Sequence, residues 1–237
     1  VMKSNKIMFI VIGICAVIVI CFCAFLIINR DKTVLSDALR FKQEFEEYNG
    51  ATYSGAYEGD LINVSIPEDN PFIYKSAQEI IDVLHNEEAY ILFGYATDPL
   101  IRNAIPVLIE ALNERGITQV YYVDIEHIRD EYTVSWPPEK TKDGTDSYYE
   151  ILDFFGDNLE RYYMFNAEEN HQYDTGVTRL YSPTFAAVRN DSVVAMHQKT
   201  VASQTDIYRE LTDDEKAELK QYYLDVIDSL NEDSSEN

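Results

Sequence analysis

One stretch of the chain combines a carboxylate with the start of a helix. The apolar run of residues 89–95 is followed by Thr97-Asp98-Pro99, and an amphipathic pattern then continues to Gly116. Asp98 is therefore expected to cap a helix N-terminus, a role worth about 0.5–2 kcal/mol. Free N–H groups at a helix start favour an anion, so we expect an ionised carboxylate that is a poor general acid. A catalytic carboxylate at Asp98 is the alternative.

Other residue types that carry chemistry are scattered or confined to one end of the chain. Cysteine occurs only at Cys15, Cys21 and Cys23, so the rest of the chain has no thiol nucleophile and can form no disulfide. The histidines lack the spacing of a known metal site; they are His85, His127, His171 and His197. We therefore expect no metal and no cofactor. Trp136 is either an exposed anchor for a partner or a loop aromatic packed on the core.

The three cysteines lie in an N-terminal apolar segment. Residues 7–28 carry no charge and are long enough to cross a bilayer at about 1.5 Å per residue. We predict a short cytoplasmic tail (1–6), an uncleaved transmembrane anchor (7–29) and a single-pass protein of the cell membrane with an extracellular C-terminal domain. More basic residues follow the segment than precede it, which opposes the positive-inside rule, but that rule weakens before a long folded domain.

The chain after this segment is strongly acidic. The chain from Asp31 onward contains all 42 acidic residues and 16 of the 19 basic ones, which gives it a net charge of −26. Such a charge disfavours nucleic acid and anionic lipid surfaces, and it suits solubility and cationic partners. We therefore exclude nucleic acid as a partner.

The remaining sequence predicts alternating strands and helices. Residues 30–60 are interpreted as a helical stalk and linker, and residues 231–237 as a disordered acidic tail. Between them, residues 61–230 read as the order β-α-β-α-β-α-β-β-α. The predicted strands are 61–66, 89–95, 119–125, 183–188 and 192–197, and the helices begin near Ser76, Asp98, Ser147 and Thr212. We expect the third helix to reach Tyr163.

Several segments in this order resemble one family. They are FKQEFEEYNG, EDNPFIYKSAQEI, ILFGYAT followed by RNAIPVL, VYYVDIEHIRD and YSPTFAAVRNDSVV. Together they resemble the membrane-anchored thioredoxin-like proteins of Gram-positive bacteria, including bacteriocin transport accessory proteins. The resemblance implies an α/β fold, a thioredoxin-like α/β/α sandwich with a central mixed sheet, and a cis-proline at Pro183. It also places the family's Cys-Pro-x-Cys motif on Asp98-Pro99-Leu100-Ile101.

The replacement of both cysteines, by Asp98 and Ile101, changes the expected function. A carboxylate cannot attack a disulfide, and isoleucine cannot resolve a mixed one, so we expect no redox catalysis. The resemblance implies instead a peptide groove, which would hold an exported or envelope protein or peptide by its backbone. Its lining would be Tyr95, Thr97, Asp98, Pro99, Ser182 and Pro183. A thiol–disulfide oxidoreductase, as the resemblance alone suggests, and a purely structural domain are the alternatives.

Overall fold

The computed structural model describes residues 35–54, 58–133, 135–166 and 168–232. The predicted cytoplasmic tail and transmembrane anchor lie outside these residues, as does most of the predicted acidic tail. Within the part that is described, no helix combines the length and the apolar character needed to cross a bilayer.

The described residues form a mixed α/β structure. The five α-helices are α1 (Asp37–Glu47), α2 (Ala77–Asn86), α3 (Pro99–Glu114), α4 (Asp146–Phe155) and α5 (Asp213–Glu232). The first strands are β1 (Thr52–Ser54), β2 (Glu58–Asp60), β3 (Phe72–Tyr74), β4 (Ala89–Gly94), β5 (Val120–Asp124) and β6 (Glu131–Tyr132). The others are β7 (Lys140–Lys142), β8 (Arg161–Asn166), β9 (His171–Thr178), β10 (Thr184–Arg189) and β11 (Ser192–Gln198).

A five-stranded mixed sheet with the order β11-β10-β4-β5-β3 forms the centre of the structure. Strands β3 and β4 both run parallel to β5, whereas β10 pairs antiparallel with β4 and with β11. The apolar sequences of β4 and β5 suit strands that are covered on both faces. The prediction of an α/β fold with a central mixed sheet is confirmed. Three separate two-stranded sheets, β1-β2, β6-β7 and β8-β9, surround it.

Each face of the central sheet packs against a different set of helices. Leu92, Tyr122 and Phe185 belong to one core, which α1, α3 and α5 cover. Ile91 and Phe93, which alternate with Leu92 along β4, belong to a second core beneath α2 and α4. The alternation of side chains along a strand thus divides the interior into two layers. The start of α3 lies at the carboxyl end of β4 because only residues 95–98 connect the two elements.

Helix α1 belongs to this structure. Phe41 and Phe45 are fully buried, and the Phe41 ring stacks on Phe72 with 4.2 Å between centroids. The same ring meets Tyr122 of β5 edge-on at 4.9 Å. Placing residues 30–60 in a separate stalk and linker was therefore wrong for α1, because its aromatic face completes the main core.

Residues 61–66 form no strand, although their alternating pattern predicts one. Leu61, Val64 and Ile66 are buried as expected. The backbone of the segment, however, forms hydrogen bonds with side chains instead of with a neighbouring strand. The Asn49 side chain donates to Val64 O and accepts from Val64 N, both at 2.8 Å. Glu46 accepts from Ile66 N at 2.9 Å. The first strand of the sheet is instead β3, which the prediction missed.

The third predicted helix is shorter than expected. Helix α4 ends at Phe155, and Gly156 follows with a positive φ of 49°. Residues 161–166 then form β8 and pair with β9, so the predicted continuation to Tyr163 was wrong. Alternate residues of β8 are exposed, which is the period of a strand rather than of a helix.

Local turn and cap signals were correctly identified. Ser76 and Glu79 form the predicted capping box at the start of α2, and Thr212 and Glu215 form another before α5. The predicted hairpin is present as β10-β11. Asn190 and Asp191 connect its strands with φ angles of 51° and 62°, a left-handed conformation that Asn and Asp tolerate better than most residues.

Candidate functional site

Asp98 caps helix α3, as the sequence predicts. Its Oδ1 accepts hydrogen bonds from Leu100 N at 2.8 Å and from Ile101 N at 3.1 Å. Pro99 occupies the first helical position, where an N–H group would have no partner within the helix, so the lack of one in proline costs no hydrogen bond. The carboxylate therefore satisfies two of the N–H groups that a helix start leaves without partners.

Burial changes the acidity expected for this carboxylate. It raises the pKa of Asp98 from its ordinary 3.8 to about 6, although the two backbone N–H groups and nearby Arg129 lower it. The helix N-terminus alone favours a low pKa, but the cost of desolvating the charge is larger than the gain from the N–H groups. With a pKa of about 6, the carboxyl group is still mainly ionised at neutral pH. Asp98 thus takes up a proton in mildly acidic solution.

The raised pKa of Asp98 predicts how stability depends on pH. The folded state binds the proton more tightly than the unfolded state, so stability contributed by protonated Asp98 is present below about pH 4 and is lost as the pH rises through about 6. Asp98→Asn keeps a capping oxygen but carries no charge. We expect it to gain on the order of 2–3 kcal/mol over the wild type between these pH values, measured by urea unfolding across the pH range.

The control for this prediction is Asp98→Ala, which removes both the titration and the cap. It should share the pH profile of Asp98→Asn and lie about 0.5–2 kcal/mol below it throughout. A difference between the wild type and Asp98→Asn that does not change with pH would contradict the prediction.

Aromatic side chains surround Asp98. Arg129 donates a hydrogen bond to the Tyr95 hydroxyl at 2.6 Å, and its guanidinium lies over the Tyr95 ring. The charge of Asp98 helps to raise the pKa values of Tyr53, Tyr95 and Tyr208, although burial is the main cause for all three. The carboxylate therefore sits among three phenols and one guanidinium.

Tyr208 and the β1-β2 hairpin pack against each other, and each carries a phenol that interacts electrostatically with Asp98. A Cβ at Gly59 would come within 2.5 Å of the Tyr208 ring, so the ring rests directly on the hairpin backbone. Tyr53 pairs with Gly59 across the hairpin. We refer to Tyr53, Gly59 and Tyr208 as the aromatic cover.

Ser182 and Pro183 lie beside the start of α3. Thr184 pairs with Phe93, so the two preceding residues continue past the carboxyl end of β4. The Ser182–Pro183 peptide bond is cis. A Cβ at Gly94 would come within 3.0 Å of the Ser182 Oγ and 2.2 Å of the Ile101 Cδ1. The absence of a side chain at Gly94 thus allows both residues to approach the strand.

The Ser182 hydroxyl is buried without a hydrogen bond. Only 3% of Ser182 is exposed, and its Oγ has no hydrogen-bond partner among the described residues. Burying a hydroxyl in this way costs about 1–3 kcal/mol relative to a paired one. Such a group needs an explanation, and a ligand that supplies the missing partner is one.

The structure brings the expected groove residues together but leaves little of them open. Tyr95, Pro99, Ser182 and Pro183 are buried, and only Thr97 and Asp98 are partly exposed. Ile101 is fully buried in the main core. Access from solvent is therefore through Thr97 and Asp98, beside the aromatic cover.

Acidic residues at the carboxyl ends of the parallel strands were not expected. Thr97 donates a hydrogen bond to Glu126 Oε1 at 3.2 Å, and Asp124 accepts from Glu126 N. Burial raises the pKa of Glu44, which accepts a hydrogen bond from the Tyr74 hydroxyl at 2.7 Å. Ligands of open α/β sheets bind at this edge. No local motif identifies this group, because Glu44 lies on α1, Thr97 follows β4, and Asp124 and Glu126 lie at the end of β5 and just after it.

The other sequence candidates lie elsewhere. Trp136 stacks on Tyr173 of β9 with 5.2 Å between centroids and is half-buried, as a loop aromatic packed on its neighbours would be. His197 stacks on Tyr222, whereas the His127 side chain is 84% exposed. In the described ranges, no three His, Cys, Asp or Glu side chains are grouped so that they could hold a metal ion.

The sequence matches no protein family and no curated protein.

Proposed function

We propose that the chain carries a thioredoxin-like domain without redox activity, which binds an exported or envelope protein or peptide next to the start of α3. The anchor proposed for residues 7–29 would hold this domain at the outer face of the cell membrane. The sheet order β3-β5-β4-β10-β11, with three parallel strands followed by an antiparallel hairpin, supports the thioredoxin-like assignment. The position of α3 directly after β4 supports it as well.

The residues at the start of α3 support the absence of redox chemistry. Thiol–disulfide exchange needs a thiolate that attacks and a second thiol that resolves the mixed disulfide. Asp98 accepts hydrogen bonds from two backbone N–H groups, and Ile101 is fully buried. The chain contains no cysteine after Cys23, so no other residue of this domain can supply the thiol.

The unpaired hydroxyl of Ser182 is the observation that favours binding. It lies beside the partly exposed Thr97 and Asp98, at the sheet edge where α/β domains bind ligands. A peptide main chain that passes this edge would offer both N–H and C=O groups as partners. Ser182 is closed to solvent in the present form, so binding at this depth requires neighbouring residues to move.

Photocrosslinking in intact cells tests the binding proposal. A photoreactive residue at Thr97 should give a discrete adduct with an exported or envelope protein. The matched control is Glu110, an exposed position on the same helix, which should give none. Equal labelling at the two positions, or no adduct at Thr97, would contradict the proposal.

Insulin reduction by the full-length chain separates this proposal from the oxidoreductase alternative. We expect no turnover above the uncatalysed rate with dithiothreitol as the reductant. Turnover that survives replacement of Cys15, Cys21 and Cys23 by serine would overturn the assignment of a domain without redox activity.

A further inference from the structure

An open cleft lies beside the C-terminal end of α4. Its volume is about 500 Å³, within the range of about 300–1,000 Å³ that is typical of small-ligand sites. Residues of α4, β7, β8 and β9 line it, together with Asp130, which directly precedes β6. We refer to it as the Asp130 cleft. It contains no residue from the start of α3, so what it binds is independent of the proposed function.

A buried carboxylate forms part of the wall of the Asp130 cleft. The Asp130 side chain is only 8% exposed. Its Oδ1 accepts hydrogen bonds from Gly144 N at 2.8 Å and from the Tyr149 hydroxyl at 2.5 Å, which fix the carboxylate in place. Its Oδ2 forms no hydrogen bond with the residues that the structure describes. Unlike the Ser182 hydroxyl, this oxygen is not enclosed by protein, so it faces the cleft.

The charge of Asp130 is only weakly compensated. Lys140 Nζ lies 4.0 Å from Asp130 Oδ1 but 2.5 Å from Asp143. The other basic residue of the cleft, Arg161, pairs with Asp174 at 2.7 Å. Both basic side chains thus have carboxylates of their own outside the cleft lining. Because buried charges in proteins are normally paired, the free oxygen of Asp130 favours a positively charged ligand.

The end of α4 adds to the negative potential of the cleft. A helix C-terminus carries a partial negative charge and favours basic residues, but the last turn of α4 has none. Asp153 and Asp157 line the cleft there instead. Both are exposed, and neither forms an ion pair in the described part of the chain. Leu152 and Val177 contribute partly exposed apolar surface beside them, which suits a cation with a hydrocarbon stem.

We propose that the Asp130 cleft binds an alkylammonium group. The ammonium donates a hydrogen bond to Asp130 Oδ2, and its methylene stem packs on Leu152 and Val177. Asp153 and Asp157 attract the cation to the open side of the cleft, in addition to the net charge of −26 on the chain from Asp31 onward. A free aliphatic diamine and the lysine side chain of a peptide both offer this chemistry.

Isothermal titration calorimetry on the full-length chain tests the proposal and distinguishes the two sources. One probe is cadaverine, a free diamine. The other is lysine with an acetylated amino group and an amidated carboxyl group, so that only the side-chain ammonium is charged. We expect at least one of them to bind, and the tighter of the two identifies the source. Norleucine blocked in the same way lacks the ammonium and should not bind. The proposal is overturned if neither probe binds, or if blocked norleucine binds as tightly as blocked lysine.

Asp130→Asn tests the central contact. It should weaken binding of the tighter probe about tenfold or more, because the variant loses a hydrogen bond between two charged groups. An unchanged affinity would contradict the proposal. Because Asp130 also holds Gly144 and Tyr149, circular dichroism should accompany this measurement to show that the variant is folded.

A second variant avoids the buried contacts altogether. The exposed pair Asp153→Asn and Asp157→Asn should weaken binding several-fold without disturbing the packing of α4. The matched control is Asp214→Asn with Asp225→Asn, two exposed positions on α5, which covers the opposite face of the central sheet. This control changes the net charge by the same amount and should leave the affinity unchanged. Equal weakening by the two pairs would show attraction to the overall charge of the chain, and the proposal would be wrong.

Discussion

Arg102→Met is expected to destabilise the domain by about 3–5 kcal/mol, one of the two largest effects of a single substitution that we predict. Arg102 is fully buried and follows Ile101 on α3. Its guanidinium donates to Ile62 O at 2.8 Å, to Phe45 O at 2.8 Å and to Ala96 O at 3.0 Å. It also donates to the Asn49 side chain at 2.6 Å. Methionine fills a similar volume but donates none of these bonds.

The acceptors of Arg102 explain the size of the effect. They are three carbonyls, which belong to α1, to the irregular segment 61–66 and to the loop before Asp98, and the amide oxygen of Asn49, which follows α1. Without the guanidinium, buried carbonyls lose their partners, and each costs about 1–3 kcal/mol. Burial lowers the pKa of Arg102 to about 10, so the charge itself is costly, but at neutral pH the bonds that it makes outweigh that cost.

Equilibrium urea unfolding, followed by far-ultraviolet circular dichroism, measures this effect. Arg115→Met is the matched control at the other end of α3. Arg115 pairs with Asp228 and Glu114 at the surface, where ion pairs contribute little. A loss for Arg102→Met no larger than that for Arg115→Met would show that the buried guanidinium does not hold α1 and α3 together.

Phe41→Ala is expected to destabilise the domain by about 3–5 kcal/mol. Phe41 stacks on Phe45 at 4.4 Å and on Phe72 at 4.2 Å, and it meets Tyr122 edge-on. Its removal leaves a cavity between α1 and the sheet, because the surrounding rings are themselves fixed by packing. The prediction tests whether α1 is part of the domain, since a separate stalk would unfold without affecting the sheet.

The same unfolding experiment applies to Phe41→Ala, with Leu35→Ala as the control. Leu35 precedes α1 and is 41% exposed, so its truncation should change the free energy of unfolding by no more than about 0.5 kcal/mol. If Phe41→Ala has the same free energy of unfolding as the wild type, α1 is a separate stalk and not part of the domain.

Features that depend on neighbouring residues could be predicted from the sequence. Ser76, Asp98 and Thr212 each cap a helix through a hydrogen bond to a backbone N–H two or three residues later. The strands β4 and β5 are continuous apolar runs, and Asn190-Asp191 forms the turn between β10 and β11. In each case the interacting atoms lie close together in the chain, so the local pattern contains the physical cause.

Features that depend on distant residues could not be predicted in this way. The alternating pattern of residues 61–66 resembles a strand, but Asn49, Glu46 and Arg102 satisfy its backbone in place of a neighbouring strand. The apolar and aromatic residues of 147–163 fit one long helix, but the chain from Arg161 onward forms β8 and pairs with β9. Only tertiary contacts decide between these alternatives.

The sequence by itself determined one part of the chemistry. No cysteine follows Cys23, so the chain after the N-terminal apolar segment has no thiol in any conformation, whether or not the resemblance that places family cysteines on Asp98 and Ile101 holds. Only the tertiary structure decided the acidity of Asp98 and the isolation of the Ser182 hydroxyl. Both depend on burial, which only the folded chain produces. The groups that interact electrostatically with Asp98, among them Tyr53, Arg129 and Tyr208, lie far away in the chain, and local sequence patterns do not connect them to the start of α3.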